Sequence, residues 1–344
     1  MIIKKQAFPR AALIGNPSDG YYGKTIAFVF DNYAASVELY ESPELELVPG
    51  IRDHGTFDNV HDLVKQLDLY GYYGGMRLLK ASIKKFVEYC RKRDIKLHDR
   101  NFTLRYNTTI PNRLGLAGSS AIITACIRAL EEFYGVTIAK PELANLILAV
   151  EVEELDIAAG LQDRVAQAYN VPVFMDFNRD HMEKYGYGIY KELTIPDDLN
   201  LFVAFRTDLA EGSEILHSRL RDDYNNGVPA VLDAIKEWAQ LTDVVYESLQ
   251  NHNYSEIERC LRRNFELRCE VCASTVTVKN RRMVELANSL GAAAKLTGSG
   301  GAIIGIYHDE VHYKKLKALF SNYQIDIVKP HIVTNGASEA NLQE

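Results

Sequence analysis

No run of eighteen consecutive apolar residues occurs in this 344-residue chain, so no membrane-spanning helix and no membrane partner is expected. The first residues, MIIKKQAFPR, lack the long apolar core of a secretory signal, and the expected location is the cytoplasm. Positive charge is not in excess. With 39 Lys and Arg against 46 Asp and Glu, the net charge of −7 argues against nucleic acid as a partner. Cysteine is scarce: Cys90, Cys126, Cys260, Cys269 and Cys272 are all there are. Three lie in segments of helical periodicity, as buried thiols of a reducing compartment would. Cys269 and Cys272 form a lone CxxC with no second pair and no flanking histidine, too little for a zinc or redox site. There is no internal repeat and no low-complexity tract.

What is present suits two globular domains. At 344 residues, with 47% hydrophobic composition, the chain can bury two cores. A polar passage rich in Tyr, Gly and Pro around residues 180–198 sets the expected division, into residues 1–190 and 191–344. Strands are expected at AALI, TIAFVF, VELYES, LELVPG, FTLRYNTTI, VPVFMDF, LNLFVAFR and IDIVKPHIV. GGMRLLKASIKKFVEYCRKR predicts an amphipathic helix whose inward stripe is Met76, Leu79, Ile83, Phe86, Val87 and Cys90. The helix after PNRLGLAGSSA should bury Ile123, Cys126, Ile127, Leu130 and Phe133 and stop at Gly135. Pro141 opens a further helix, two long helices span about 228–249 and 255–274, and NRRMVELANSLG and HYKKLKALFSNY add two more. Residues 58–73 are polar and tyrosine-rich, and the last ten residues read as a frayed end.

Four features stand out from this background. In PNRLGLAGSSA, Pro111 to Ala121, a strand passes through a glycine-containing loop into a helix. Such a helix start offers unpaired N–H groups, a positive dipole end and the hydroxyls of Ser119 and Ser120 to an anion, most naturally a phosphate. Thr297–Gly301 (TGSGG) places three glycines between two apolar strands, more than a hairpin needs, which predicts a close approach of the backbone to another group. Glu151 and Asp163 flank a glycine-containing break between helices, and Arg10 and Asp19 bracket the first strand and its turn. The segment GYYGKT looks like the end of a phosphate-binding P-loop but fails that pattern, because position 18 is Ser18 and not glycine.

In this order the four features resemble the GHMP kinases, small-molecule kinases that include galactokinase, homoserine kinase and mevalonate kinase. PNRLGLAGSSA is similar to their phosphate-binding motif PxxxGLGSSAA, with Ala117 where glycine is common. KLTGSGGAIIGI is similar to the third motif, and AFPRAALIGNPSDG aligns without a gap with the first, which reads APGRVNLIGEHTDY in galactokinases. GNPSDGYYGKTIAF, AAGLQDRVAQAY and VFMDF most resemble the glucuronokinase branch, which phosphorylates the anomeric hydroxyl of D-glucuronate; heptose kinases and other sugar 1-kinases share parts of the pattern.

The resemblance implies an α+β fold of two domains, the first like ribosomal protein S5 domain 2 and the second ferredoxin-like, with the active site between them. It implies ATP and Mg²⁺ as cofactors and a uronic acid as substrate, and leaves a homodimer open. Pro111, Gly115, Leu116, Ala117, Gly118, Ser119 and Ser120 would cradle the nucleotide phosphates. Ser120 and Glu151 would hold Mg²⁺, Glu151 being chosen over Glu153 and Glu154 because it stands twelve residues before Asp163, as in galactokinase. Asp163 would take the acceptor's proton and Arg10 would steady it. Asn16, Ser18 and Asp19 would meet the sugar, and Gly298, Ser299, Gly300 and Gly301 would close over it. A uronate carboxylate needs a cation, for which Lys24, Arg77, Arg206, Arg219 and Arg268 are candidates. Two other readings are a GHMP kinase for another sugar, a heptose phosphate or a mevalonate-type alcohol, and a ligand sensor that has lost catalysis. The survival of Glu151 and Asp163 favours an enzyme.

Overall fold

The computed structural model describes residues 2–50, 53, 74–112, 114–206, 214–273 and 276–334, with 214–219 as backbone. The segment 58–73, the expected end of a helix at Ser274 and the last ten residues therefore lie outside the described residues. From the N-terminus come β1 (Ile2–Ala7), β2 (Arg10–Ile14), a 3₁₀ turn (Ser18–Tyr21), β3 (Lys24–Val29), β4 (Ala35–Glu41) and β5 (Glu46–Val48). Next are α1 (Gly75–Lys92), β6 (Phe102–Thr108), α2 (Gly118–Tyr134), α3 (Lys140–Ala149), a wide π-helical turn (Val150–Glu154), α4 (Leu161–Tyr169), β7 (Val173–Asp176), α5 (Arg179–Tyr185) and β8 (Ile189–Glu192). The remainder is β9 (Leu201–Arg206), α6 (Glu214–Asn225), α7 (Pro229–Gln250), α8 (Tyr254–Val271), α9 (Val278–Ser289), β10 (Ala293–Leu296), β11 (Ala302–Ile306), α10 (Glu310–Ser321) and β12 (Ile325–Val328). No helix among the described residues is long and apolar enough to cross a membrane.

These elements form two units that are not consecutive in sequence. Unit 1 comprises Met1–Pro9, Tyr33–Asn112 and Ala117–Ala168; unit 2 comprises Arg10–Asn32, Arg113–Leu116 and Tyr169–Glu344. In unit 1 the strand order is β1-β4-β6-β5, antiparallel except for the β5–β6 pair. Alternation sets its register: Ala35, Val37 and Leu39 of β4 are buried while Ser36, Glu38 and Tyr40 face outward. Helix α2 covers this sheet with Ile123, Cys126, Ile127, Leu130 and Phe133, all buried, and ends at Gly135 in the left-handed region, as the periodicity predicts.

Helix α1 packs on α2 with a stripe rotated from the expected one. Its buried residues include Leu78, Leu79, Ser82, Lys85, Phe86 and Cys90, with Met76, Ile83 and Val87 half-buried. Lys85 can lie on the inner face because its methylenes are buried while Nζ reaches Glu153 at 2.8 Å and Glu88 at 3.3 Å.

Unit 2 holds two antiparallel sheets, ordered β2-β3-β7-β8 and β10-β11-β9-β12. Helix α7 packs on β3 and on α8, and α8 packs on β10. Trp238 of α7 is fully buried and donates its indole N–H to the Asn264 carbonyl of α8 at 3.1 Å. Phe202, Ala204, Met283, Ala287, Leu296, Ile303 and Phe320 form the core under the second sheet. β1, α5 and β8 escape the sequence reading for one reason. Only two residues of β1 are buried, and none is in α5 or β8, so the apolar periodicity is too weak to mark them.

Candidate active site

In unit 1, β6 delivers the chain to Pro111, and α2 starts at Gly118. Ala117, its N-cap, adopts the left-handed conformation with φ 61° and ψ 40°. That strained carbonyl is fixed by three donors: Ala121 N–H at 3.1 Å, Ser120 Oγ at 3.1 Å and Gln167 Nε2 at 2.9 Å. No side chain caps α2 and its first turn holds no acidic residue, so its N–H groups and positive dipole end meet no competing carboxylate there. Ser119 is exposed and Ser120 buried.

Glu151 sits in the wide turn after α3 and is only 2% exposed. Its Oε2 accepts from Arg164 Nε at 2.6 Å and from Arg164 Nη2. Burial pushes the Glu151 carboxyl up, with Arg164 opposing. Arg164 also donates from Nη1 to the Gly160 carbonyl at 2.9 Å, and that nitrogen lies 3.3 Å from Oδ2 of Asp163, in the first turn of α4. One guanidinium thus organises both carboxylates. Glu153 and Glu154 are turned to Lys85 and Lys84 instead.

In unit 2 the other predicted residues converge. Arg10 of β2 donates its backbone N–H to the Leu116 carbonyl at 3.0 Å and its Nη1 to the Thr297 carbonyl. Ala12 N–H donates to Thr297 Oγ1 at 2.9 Å. The two glycine stretches pack backbone to backbone. A Cβ on Gly115, whose φ is +63°, would lie 2.8 Å from the Gly300 carbonyl oxygen, and one on Gly298 would overlap the Gly115 carbonyl oxygen. The close approach expected of TGSGG is therefore made to the Leu114–Leu116 backbone. Gly298→Ala is accordingly expected to destabilise the fold by about 1–3 kcal/mol through overpacking. A thermal melt reads this, and an unchanged midpoint would refute the packing described.

Buried cations hold the Thr297–Gly301 turn and the first-motif turn in place. Arg268 of α8, 1% exposed, donates to the carbonyls of Gly298 at 2.8 Å and Ser299 at 3.0 Å. Lys295, in an entirely buried strand, donates to the Ala12 carbonyl at 2.9 Å, Asn16 Oδ1 at 2.5 Å and the Leu296 carbonyl at 3.0 Å. Burial, with Arg268 and Arg10 adding, pushes the Lys295 ammonium well below lysine's ordinary value. Asn264 accepts from Gly15 N–H at 2.8 Å and donates to the Asn16 carbonyl at 3.1 Å; Asn280 accepts from Gly301 N–H at 2.9 Å. Asn16 and Ser18 spend their side chains inside the protein, Ser18 donating to the Lys24 carbonyl at 2.9 Å. Asp19 is half-exposed.

Arg164, Gln167, Asn264, Asn280 and Lys295 were not singled out from the sequence. Lys295 had a signal, a lone charge in an apolar strand; Arg164 had its adjacency to Asp163. Of the carboxylate candidates, Arg77 donates to the Leu155 carbonyl at 2.5 Å, Lys24 pairs with Asp243 at 2.8 Å and Arg268 serves the turn. Arg206 is half-buried, and the Arg219 side chain lies outside the described residues. Cys269 and Cys272 are free thiols that burial pushes up.

This geometry can be set beside known proteins. The family model for the GHMP kinases N terminal domain matches residues 78–170, and the one for GHMP kinases C terminal matches residues 245–323. Over 311 residues the chain is 42% identical to probable glucuronokinase 2 of Arabidopsis thaliana, spanning 88% of this chain and 84% of that protein. The chain belongs to the GHMP kinases. This GHMP kinase is also 40% identical to glucuronokinase 1 of Arabidopsis thaliana over 309 residues, again 88% of this chain and 84% of the relative. The solved phosphomevalonate kinase of Streptococcus pneumoniae superposes with a TM-score of 0.73 at 16% identity, over 97% of this chain and 100% of that one, which shows the shared fold. As a member of the family the protein is a phosphotransferase, and the mixed helix-and-strand fold expected from the motifs is the one found.

Proposed function

We propose that this GHMP kinase transfers the γ-phosphoryl group of ATP to the anomeric hydroxyl of D-glucuronate, forming D-glucuronate 1-phosphate and ADP. The observation that carries this reading is the 42% identity to a probable glucuronokinase across 84% of that protein's length. The start of α2 supports the nucleotide half: Gly118, Ser119 and Ser120 present N–H groups at an uncapped, acid-free helix end, suited to phosphate oxygens. Pro111, Gly115, Leu116 and Ala117 shape the approach to that end. Asp163 accepts the proton as the C1 oxygen attacks the γ-phosphorus and the bond to the leaving β-phosphate oxygen breaks. The anomeric hydroxyl is more acidic than an ordinary alcohol, so a carboxylate suffices as base. Arg10 supplies positive charge to the transferred group, and the Gly298–Gly300 backbone supplies N–H groups. Asp19 takes a sugar hydroxyl, while Asn16 and Ser18 hold the turn that presents it.

Mg²⁺ fits the donor set. Ser120 and Glu151 offer a hydroxyl and a carboxylate, hard oxygen donors, and among the described residues no three His, Cys, Asp or Glu gather into a metal cage of their own. A cation that takes one carboxylate and completes its shell with phosphate oxygens and water has that requirement. Both Arg164 contacts fall on Oε2 of Glu151, so Oε1 is the oxygen that would meet the ion. When bound, Mg²⁺ neutralises charge on the phosphates.

The test is an acceptor panel with ATP and Mg²⁺, read by ADP release and by isolation of the 1-phosphate. D-Glucuronate is expected to be the preferred acceptor over D-glucose, D-galactose, a heptose 7-phosphate and mevalonate. Robust turnover of another acceptor beside none of glucuronate would overturn the substrate assignment.

A further inference from the structure

A sugar acid differs from its neutral hexose by one carboxylate, and none of Arg77, Arg268 and Lys24 is available to hold it. Another arginine lies beside the turn that carries Asp19. Arg221, near the end of α6, places its guanidinium carbon 5.4 Å from the centroid of the Tyr21 ring. Its Nη2 would lie 3.6 Å from a Cβ built on Gly20. Among the described residues it makes no ion pair and no hydrogen bond; the ring contact is its anchorage.

Tyr21 supplies the second observation. The residue is 3% exposed, and its buried hydroxyl has no hydrogen-bond partner among the described residues. An unpaired buried hydroxyl is destabilising and is seldom kept without a use. Burial holds this phenol up at about 12, so it stays a protonated donor, and both Arg221 and Asp19 are close enough to act on it electrostatically. The surroundings are fixed by aromatic contacts. Tyr224 packs on Tyr21 at 5.1 Å between ring centroids, and Arg179 donates to the Tyr224 hydroxyl at 2.9 Å while covering the Tyr22 ring at 4.5 Å. All of these residues belong to unit 2.

We propose that Arg221 binds the carboxylate of the acceptor, with the Tyr21 hydroxyl adding a hydrogen bond on the same side of the sugar as Asp19. The proposal rests on the glucuronate reading above and names the residues that make the site prefer a uronate to its neutral hexose. A guanidinium held beside a ring presents a planar fork, which matches two carboxylate oxygens and gives a CH₂OH group little to hold.

The experiment is steady-state kinetics of wild type, Arg221→Ala, Arg221→Lys and Tyr21→Phe, with D-glucuronate and D-glucose as acceptors. Arg221→Ala is expected to raise KM for glucuronate by about 10–100-fold, the loss of one charge-assisted contact, with kcat and the KM for ATP little changed. The preference for glucuronate over glucose should fall in proportion. Arg221→Lys, which keeps the charge and loses the fork, should fall between. Tyr21→Phe should raise the glucuronate KM by less and leave the melting temperature at or above wild type, because the hydroxyl has no partner to lose among the described residues. If wild type turns over glucuronate and Arg221→Ala leaves KM and the acid preference unchanged, the proposal is overturned and the substrate reading stands. A wild type that does not phosphorylate glucuronate overturns both. A melting temperature lowered by Tyr21→Phe overturns the part given to its hydroxyl.

Discussion

Asp163→Asn is expected to lower kcat by about 10²–10⁴-fold, the usual contribution of a positioned general base, while leaving nucleotide affinity close to wild type. The substitution keeps the size and shape of the side chain and removes its charge and its ability to take a proton. The local structure should survive, because Arg164 retains its contacts with Glu151 and with the Gly160 carbonyl when the Asp163 charge is gone. The start of α2, proposed to take the phosphates, is fixed independently, through Ala117 and Gln167. Steady-state ADP release with glucuronate reads the first quantity, and calorimetric titration with a non-hydrolysable ATP analogue reads the second. A variant with near-normal kcat would show that the acceptor's proton goes elsewhere.

The second large effect is expected at Arg164. Arg164→Met leaves the Glu151 carboxylate in a site 2% exposed with its guanidinium removed, and breaking a buried pair from one side costs about 3–5 kcal/mol. The double variant Arg164→Met, Glu151→Leu removes both charges and should recover most of that loss, because a buried pair is often replaced by apolar groups at little net change. It should also be inactive, because it lacks both the carboxylate proposed to hold Mg²⁺ and the guanidinium beside Asp163, so stability returns without activity. The pH dependence has a defined sign. Without Arg164, burial and the nearby Asp163 charge act on Glu151 unopposed and raise its folded-state pKa further above the unfolded value of about 4.3. A raised folded pKa gives stability that is full below the unfolded pKa and lost as pH rises through the folded one. The deficit of Arg164→Met relative to wild type should therefore shrink on acidification towards the carboxyl range and grow towards neutrality. Denaturant unfolding at a series of pH values measures it. A deficit that does not vary with pH would show that Arg164 acts by packing and not by charge.

Much of the fold was legible where one face of an element is buried and the other is not. The stripe of α2 and the alternation of β4 could be read from residue type alone, as could the stop at Gly135. Legibility failed where packing depends on a partner far along the chain. The inward face of α1 includes Lys85 because Glu153 waits beside it, and no pattern within the helix announces that. β8 is held by its pairing with β7 and buries nothing, so its residues carry no apolar signature. The site divides in the same way. Gly115, Ser120, Glu151, Asp163 and Arg10 stand in motifs whose spacing is visible in one dimension. The groups that hold the first-motif turn and the Thr297–Gly301 turn come from elsewhere: Arg268 and Asn264 from α8, Asn280 from α9, Lys295 from β10. A glycine-rich turn can be read for its freedom to approach another backbone. That the approach is to Gly115 could not be read, because it depends on a meeting of residues far apart in sequence.

Arg268 bears on how the Thr297–Gly301 turn would meet a highly charged molecule. It is 1% exposed, and its hydrogen-bond partners are the carbonyl oxygens of Gly298 and Ser299, which solvate a positive charge without cancelling it. Mobile ions in the solvent shield surface charges far more than they shield buried ones. A positive potential generated from inside the core beside Thr297–Gly301 therefore persists at ionic strengths that mute a surface lysine. Because its source is locked in place by folding, it would need no rearrangement on meeting an anion.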